Sequence, residues 1–295
     1  MTERTMTKNA SLVRVLIAYV ACFAAAAAWL NWGPSTDKLW LDTLIADLIA
    51  TLVIFGFSRA YKNSSFYDAY WSVIPPAIFI YWWIETDAEG ARLWLVLLVM
   101  VAWAIRLTGN WIFNWPGMEH EDWRYPMLKE NAGKNEAAAD LTGIHVFPTL
   151  IVFAALLPTY VVVTNTQREL GWLDVVATIV GLGAVALEFF ADLQLHQFVQ
   201  NRTPGQVMDI GLWSWSRHPN YFGEVSFWLS LALFGLAASP SEAWWIFAGA
   251  LGMLAMFMFA SIPMMEKRSL ERRPDYQEVI DRVSMFLPRP PKAKR

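Results

Sequence analysis

Apolar residues run along this chain in eight blocks, at 12–30, 39–57, 67–84, 91–113, 145–164, 172–199, 221–238 and 244–265. Each block is close to the roughly 20 residues that an α-helix needs to cross a bilayer core. The pattern predicts an all-α, polytopic integral-membrane helix bundle of seven to eight transmembrane helices, with eight preferred. Composition points the same way. Hydrophobic residues make up 56% of the chain, charged residues 17%, and there are 17 tryptophans, which excludes an ordinary soluble domain.

Charge fixes an orientation. With the N-terminus inside and eight crossings, 20 of the 23 Lys and Arg residues fall in cytoplasmic segments, and only Lys38, Arg92 and Arg168 fall outside. Cytoplasmic loops are the ones enriched in Lys and Arg, so both termini are expected to be cytoplasmic. The first block ends in Trp29 and Trp32, as an interfacial belt would, and reads as a retained helix rather than a signal peptide. Cys22 is the single cysteine, which leaves no disulfide within the chain and no thiolate site. The four histidines show no paired spacing, so no metal is expected. The net charge of −3 adds little, because the charges are sorted by side.

Three long polar insertions, 114–143, 200–220 and the tail from 266, all fall on the cytoplasmic side of this topology. They carry Glu121-Asp122-Trp123-Arg124-Tyr125, Arg202-Thr203-Pro204-Gly205, Ser216-Arg217-His218-Pro219-Asn220-Tyr221-Phe222-Gly223-Glu224, Glu266-Lys267-Arg268 and Asp275-Tyr276. Arginines take phosphates, aromatic rings stack, and Asn or carboxylate groups bind ribose and amides, so the set suits a phosphorylated aromatic ligand. Lys129 and Lys134 read instead as positive-inside anchors. In the second insertion Pro219 fits the first turn of a helix, and Asn220 and Glu224, four apart, project from one face.

Ionisable residues inside apolar blocks are costly and therefore functional candidates. They are Asp42, Asp47, Asp68, Arg106, Glu188, Asp192, His196 and Glu224. Asp42 and Asp174 near outward helix ends are accounted for as caps. Glu188, Asp192 and His196 are spaced by four and form a polar stripe that runs toward the Arg202 loop. Gly181-Leu182-Gly183 on the same block follows no strand, so it reads as a helix-packing site rather than a dinucleotide fingerprint. His120 and His145 are assigned no role.

The NYFGE motif at 220–224 after a basic loop, RTPG at 202–205, EDWRY at 121–125 and the ending PDYQEVIDRVSMFLP at 274–288 resemble the steroid 5-alpha-reductase family in its bacterial branch. Membrane sterol reductases and isoprenylcysteine carboxyl methyltransferases share a similar Arg-His-Pro-x-Tyr element. The resemblance covers about the last 230 residues. It divides the chain into N-terminal helices peripheral to the site, 1–66, and a catalytic membrane domain, 67–295. It implies NADPH held in a cavity facing the cytoplasm of a bacterial inner membrane, and a lipophilic enone arriving from the bilayer lipid. No nucleic acid and no obligate protein partner are implied.

By that resemblance Asn220 and Glu224 hold the nicotinamide end, Arg202 and Arg124 bind phosphates, and Asp192 matches a further cofactor aspartate. Tyr125, Arg217, His218, Tyr221 and Glu266 complete the expected cofactor set. Asp68, ahead of Pro75, occupies the position of the family's substrate-facing glutamate. Trp103 stands where the family has a tyrosine, so Tyr67 or Tyr70 is expected to supply the hydroxyl. The implied activity is NADPH-dependent reduction of a conjugated C=C bond. The alternative is an S-adenosylmethionine-dependent methyltransferase of the isoprenylcysteine type. A non-catalytic transport protein fits less well, because the polar groups gather at one face.

Overall fold

A computed structural model describes residues 7–293, so Arg4, Lys294 and Arg295 of the charge tally lie outside the described residues. Among those described, the elements are helical throughout and no β-strand occurs. They are α1 Lys8–Trp32, α2 Leu39–Tyr61, α3 Tyr70–Glu85, α4 Ala91–Asn114, α5 Arg124–Ala132, α6 Glu136–Ala139, α7 Phe147–Thr164, α8 Trp172–Asn201, α9 Pro219–Ala238, α10 Ala248–Met256, α11 Ile262–Arg272 and α12 Tyr276–Arg282. Short π-helical segments join α6 to α7 and α10 to α11, giving continuous helical runs over Arg124–Thr164 and Pro240–Arg272.

Seven helical runs among the described residues are long and apolar enough to cross a membrane, which makes the chain a polytopic membrane bundle. The block at 67–84 is the exception. Its helix starts only at Tyr70 and has 16 residues, a rise of roughly 24 Å against a hydrocarbon core of about 30 Å. The three residues before it are spent on a turn that follows a 3₁₀ segment at Ser64–Phe66.

The polar insertion at 114–143 is also more ordered than its composition suggests. From Arg124 onward it is helical and runs into α7. Ala, Leu, Met, Lys and Glu dominate it, and these are strong helix formers whatever their polarity.

Two glycines set how closely the central helices approach. A Cβ on Gly181 of α8 would lie 2.5 Å from a Val99 methyl on α4 and 2.7 Å from Ser230 Oγ on α9. One on Gly223 of α9 would run into Glu188 of α8. Of the Gly181-Leu182-Gly183 run, Gly181 packs in this way, whereas a Cβ on Gly183 would meet nothing within 4 Å. Small residues at the contact points let backbones approach. They also bring the carboxylates of Glu188 and Glu224 into one layer.

At the opposite end of the bundle, Asp174 caps α8 by accepting the Gly171 N–H at 2.8 Å. It also receives Arg92 at 2.6 and 3.0 Å, and the same guanidinium donates to the Arg168 and Glu169 carbonyls. Asp42 accepts from Ser35 and Thr36 just ahead of α2.

Two measurements follow. Arg92→Ala strands a buried Asp174 and two carbonyls, and removing one partner of a buried pair costs about 3–5 kcal/mol. A clear drop in the melting temperature of the detergent-solubilised protein is expected. For orientation, reporter fusions at the C-terminus and in the 86–90 loop should report opposite faces of the membrane. The same face for both would mean an even number of crossings between them and the present assignment would fail.

Candidate active site

Pro219 supplies the first residue of α9 and so sets the register in which Asn220, Tyr221 and Glu224 present themselves. These three line a cavity of about 370 Å³ together with Tyr67, Arg106, Asn110, Arg124, Tyr125 and Asp192. Apolar residues of α7, α10 and the π segment before α11 close its other walls. Tyr221 is held rigidly, its ring stacked on Phe257 with centroids 4.5 Å apart and on His218 at 5.5 Å.

Beneath Asn220 the polar groups are tied to one guanidinium. Arg106 of α4 bonds Asp192 at 2.9 Å, contacts Glu188, and lies 3.8 Å from Glu224. Asn110, one turn on, donates to the same Asp192 oxygen at 3.0 Å. Glu224 takes an indole N–H on each oxygen, from Trp103 at 3.0 Å and from Trp228 at 2.9 Å. The side chains of Glu188 and Glu224 are almost wholly buried. Arg106 Nε, also buried, has no acceptor.

Along the upper wall, Asp68 accepts the Tyr125 hydroxyl at 2.5 Å on one oxygen and the Trp111 indole at 3.2 Å on the other. Asp68 itself is therefore screened from the cavity, and Tyr125 faces it instead. Asp68 sits in the turn before α3, and burial pushes its carboxyl up to about 6 despite the Tyr125 bond, which pulls the other way. Arg124 grips Asp122 through Nε and Nη2. Burial disfavours the Asp122 charge, but this guanidinium outweighs it and holds the carboxyl below its ordinary range. Tyr67 lines the cavity with its hydroxyl on Thr149 at 2.7 Å.

The sequence profile of a family described as "Protein of unknown function (DUF1295)" matches residues 54–283. The chain belongs to that family. An uncharacterized protein of Schizosaccharomyces pombe is 29% identical over 272 residues, covering 83% of this chain and 78% of its own length. No solved structure gives a significant match. The DUF1295 region contains every residue that lines this cavity.

Within it, several sequence-predicted residues stand apart from the cavity. Tyr70 points to α2 and donates to Asp47 at 2.7 Å. Arg217 spends its whole guanidinium on protein, with Nε on Glu266 at 2.6 Å and Nη1 on the Val283 and Ile280 carbonyls at 2.5 and 3.0 Å. His218 Nε2 meets the same Glu266 oxygen at 3.1 Å. Ser216 Oγ bonds the Phe286 carbonyl, and Arg217 N bonds that of Ser284. This motif fastens the C-terminal segment, and Arg217 is spent on it. Arg202 lies in a separate groove of about 390 Å³ with Arg272 and Arg273.

The three insertions do converge. Arg268 of the tail lies over the Trp123 ring at 3.9 Å, and Arg282 pairs with Asp209 of the second insertion. Sequence reasoning missed Asn110 and Trp228 as partners of the buried carboxylates. Trp228 had a signal, since it stands four residues after Glu224. His145, given no role, is fully buried between Ser58 and Asp140 and serves packing.

The Asp68 environment gives a pH signature. The folded chain holds the Asp68 proton up to about pH 6, whereas an unfolded aspartate releases it near 3.9. Its contribution to stability is complete below about pH 4 and is lost as pH rises through 6, by about 1–3 kcal/mol. Asp68→Asn should flatten the melting-temperature profile in that window relative to wild type.

Proposed function

We propose that this protein is an NADPH-dependent membrane reductase of a conjugated C=C bond in a lipophilic enone, acting in the manner of the steroid 5-alpha-reductase family that its motifs resemble. The observation that carries the reading is a single cavity in which Tyr125, backed by Asp68 at 2.5 Å, stands with Asn220, Glu224 and Arg124. These come from sequence motifs about a hundred residues apart.

The residues fit the cofactor in part. Glu224 accepts one indole N–H on each oxygen, and a carboxylate oxygen has a second lone pair to offer a nicotinamide amide. Asn220 sits one turn above it on the same cavity wall. Arg124 uses Nε and Nη2 on Asp122, so Nη1 would serve a phosphate. Arg202, with Arg272 and Arg273 beside it, would take another. Arg217 and Glu266 do not fit a direct role, because they hold the tail to each other, and His218 gives its Nε2 to the same carboxylate. At about 370 Å³ the cavity has room for the reactive ring and an enone group, not for a whole dinucleotide.

When bound, NADPH supplies a hydride to the β carbon of the enone. The chain's own groups handle the oxygen. With Asp68 protonated, its O–H donates to the phenol oxygen and frees the Tyr125 hydroxyl to donate to the carbonyl oxygen. As enolate charge develops the phenol passes its proton to that oxygen and Asp68 replaces it, leaving an enol and the Asp68 carboxylate. An aspartate whose carboxyl titrates near 6 is suited to that task near neutral pH.

Thermal stabilisation of the detergent-solubilised protein tests the cofactor. NADPH should stabilise it more than NADH, and Arg202→Ala should narrow the difference. Stabilisation by S-adenosylmethionine alone would support the methyltransferase alternative and end this reading. Chemistry is tested by single-turnover NADPH oxidation with a lipophilic enone. Tyr125→Phe and Asp68→Asn should each slow it by about 10²–10⁴, with NADPH stabilisation kept. A full rate in both variants would remove them from the reaction.

A further inference from the structure

A second hollow, of about 630 Å³, opens on the lipid-facing side of the bundle between α4 and α8. Ala102, Gly109 and Phe113 line it from α4, and Leu182, Ala186 and Phe189 from α8. Lipid-facing grooves are ordinarily apolar throughout, and this one is not. Arg106, Asn110 and Asp192 also line it, and the same three residues line the cavity that holds Tyr125 and Asn220. One layer of hydrogen-bonded side chains thus separates the groove from the candidate active site. Arg106 Nε, on a side chain that is 8% exposed, has no acceptor. A buried donor left unmet is costly, and a ligand oxygen arriving from the groove would meet it.

We propose that the α4–α8 groove is the binding and access site for the body of a lipophilic carbonyl ligand, with the Arg106–Asn110–Asp192 layer as the threshold it crosses to reach the cavity. The proposal rests on the reductase reading for the ligand's fate but not for its presence. The ligand's hydrocarbon part lies between the small residues Ala102, Gly109 and Ala186, and its carbonyl oxygen accepts from Arg106. Lateral access of this kind spares a hydrophobic substrate any passage through water.

The test uses two photoreactive probes on the full-length protein in phosphatidylcholine nanodiscs. One is a long-chain alkyl enone with a terminal diazirine. The other is the same alkyl diazirine without the carbonyl. The enone probe should give adducts concentrated in residues 102–113 and 182–196, while the carbonyl-free probe should spread over lipid-facing helices. A Cβ at Gly109 meets nothing within 4 Å, so a side chain can leave the backbone there into the groove, and Gly109→Trp should fill it. It should abolish the enone adducts and enone-dependent NADPH oxidation while leaving thermal stabilisation by NADPH unchanged. Gly56→Trp on α2, where a Cβ also meets open space, should change neither.

Equal labelling of the groove by both probes would mean lipid contact only and would overturn the proposal. So would enone labelling that survives Gly109→Trp. If the enone labels the groove but NADPH neither stabilises the protein nor is oxidised, the groove stands as a carbonyl-ligand site and the reductase reading falls.

Discussion

The guanidinium of Arg106, placed well inside an apolar helix, is the constraint around which the rest of the site is arranged. An arginine at that depth is expensive unless surrounded by acceptors, and three carboxyl groups surround it, from Glu188 and Asp192 on α8 and Glu224 on α9. Those carboxyl groups would in turn be untenable without it. The indoles of Trp103 and Trp228 and the amide of Asn110 then take part of the remaining acceptor capacity. Close helix contact makes the arrangement possible, because Gly181 and Gly223 remove the side chains that would hold α8 away from α4 and α9. Packing and electrostatics are here one requirement: the helices must touch for the charges to meet, and the charges must meet for the helices to bear them.

The Arg217 cluster plays the matching part at the start of α9. Its donors reach Glu266 on α11 and two carbonyls at the end of α12, so the start of α9 and the C-terminal segment are tied together. Because Asn220 follows three residues later, this fastening fixes where the α9 face meets the cavity. The Arg-His-Pro element acts on the site through the backbone it anchors. A motif rich in charge thus does structural work, while an unpromising turn at Asp68 faces the hydroxyl that lines the cavity.

Sequence pattern exposed the fold well where the signal is a sum over many residues. Seven of the eight apolar blocks appear as long helices, since a run of about twenty apolar residues has few other solutions in a bilayer. The block at 67–84 reads as a full-length helix, because periodicity cannot say that Tyr67, Asp68 and Ala69 belong to a turn. At the site, helix spacing rightly placed Asn220 and Glu224 on one face and aligned Glu188 with Asp192. It could not say which donors were already spent. Arg217 and Arg124 look alike as sequence, yet one is fully engaged by protein atoms and the other lines the cavity. Tyr70 and Tyr67, three apart, diverge for the same reason, one turning to Asp47 and one to the cavity.

What separates the two hollows also joins them. Arg106, Asn110 and Asp192 belong to adjacent turns of two helices, and each presents one side to the groove and one to the cavity. A hydrophobic barrier at that place would keep water out but give a carbonyl group nothing to exchange for its hydration. A fully satisfied polar layer would hold shut. The layer here lies between these limits: Asp192 is held by Arg106 and Asn110, while one nitrogen of Arg106 is unmet. An oxygen that reached this nitrogen as the layer shifted would find a donor not already spent on an acceptor, and the apolar remainder of the ligand would keep the contacts it already had. A buried donor left without an acceptor is thus the feature that would make this layer selective for a lipophilic carbonyl compound over a plain hydrocarbon chain.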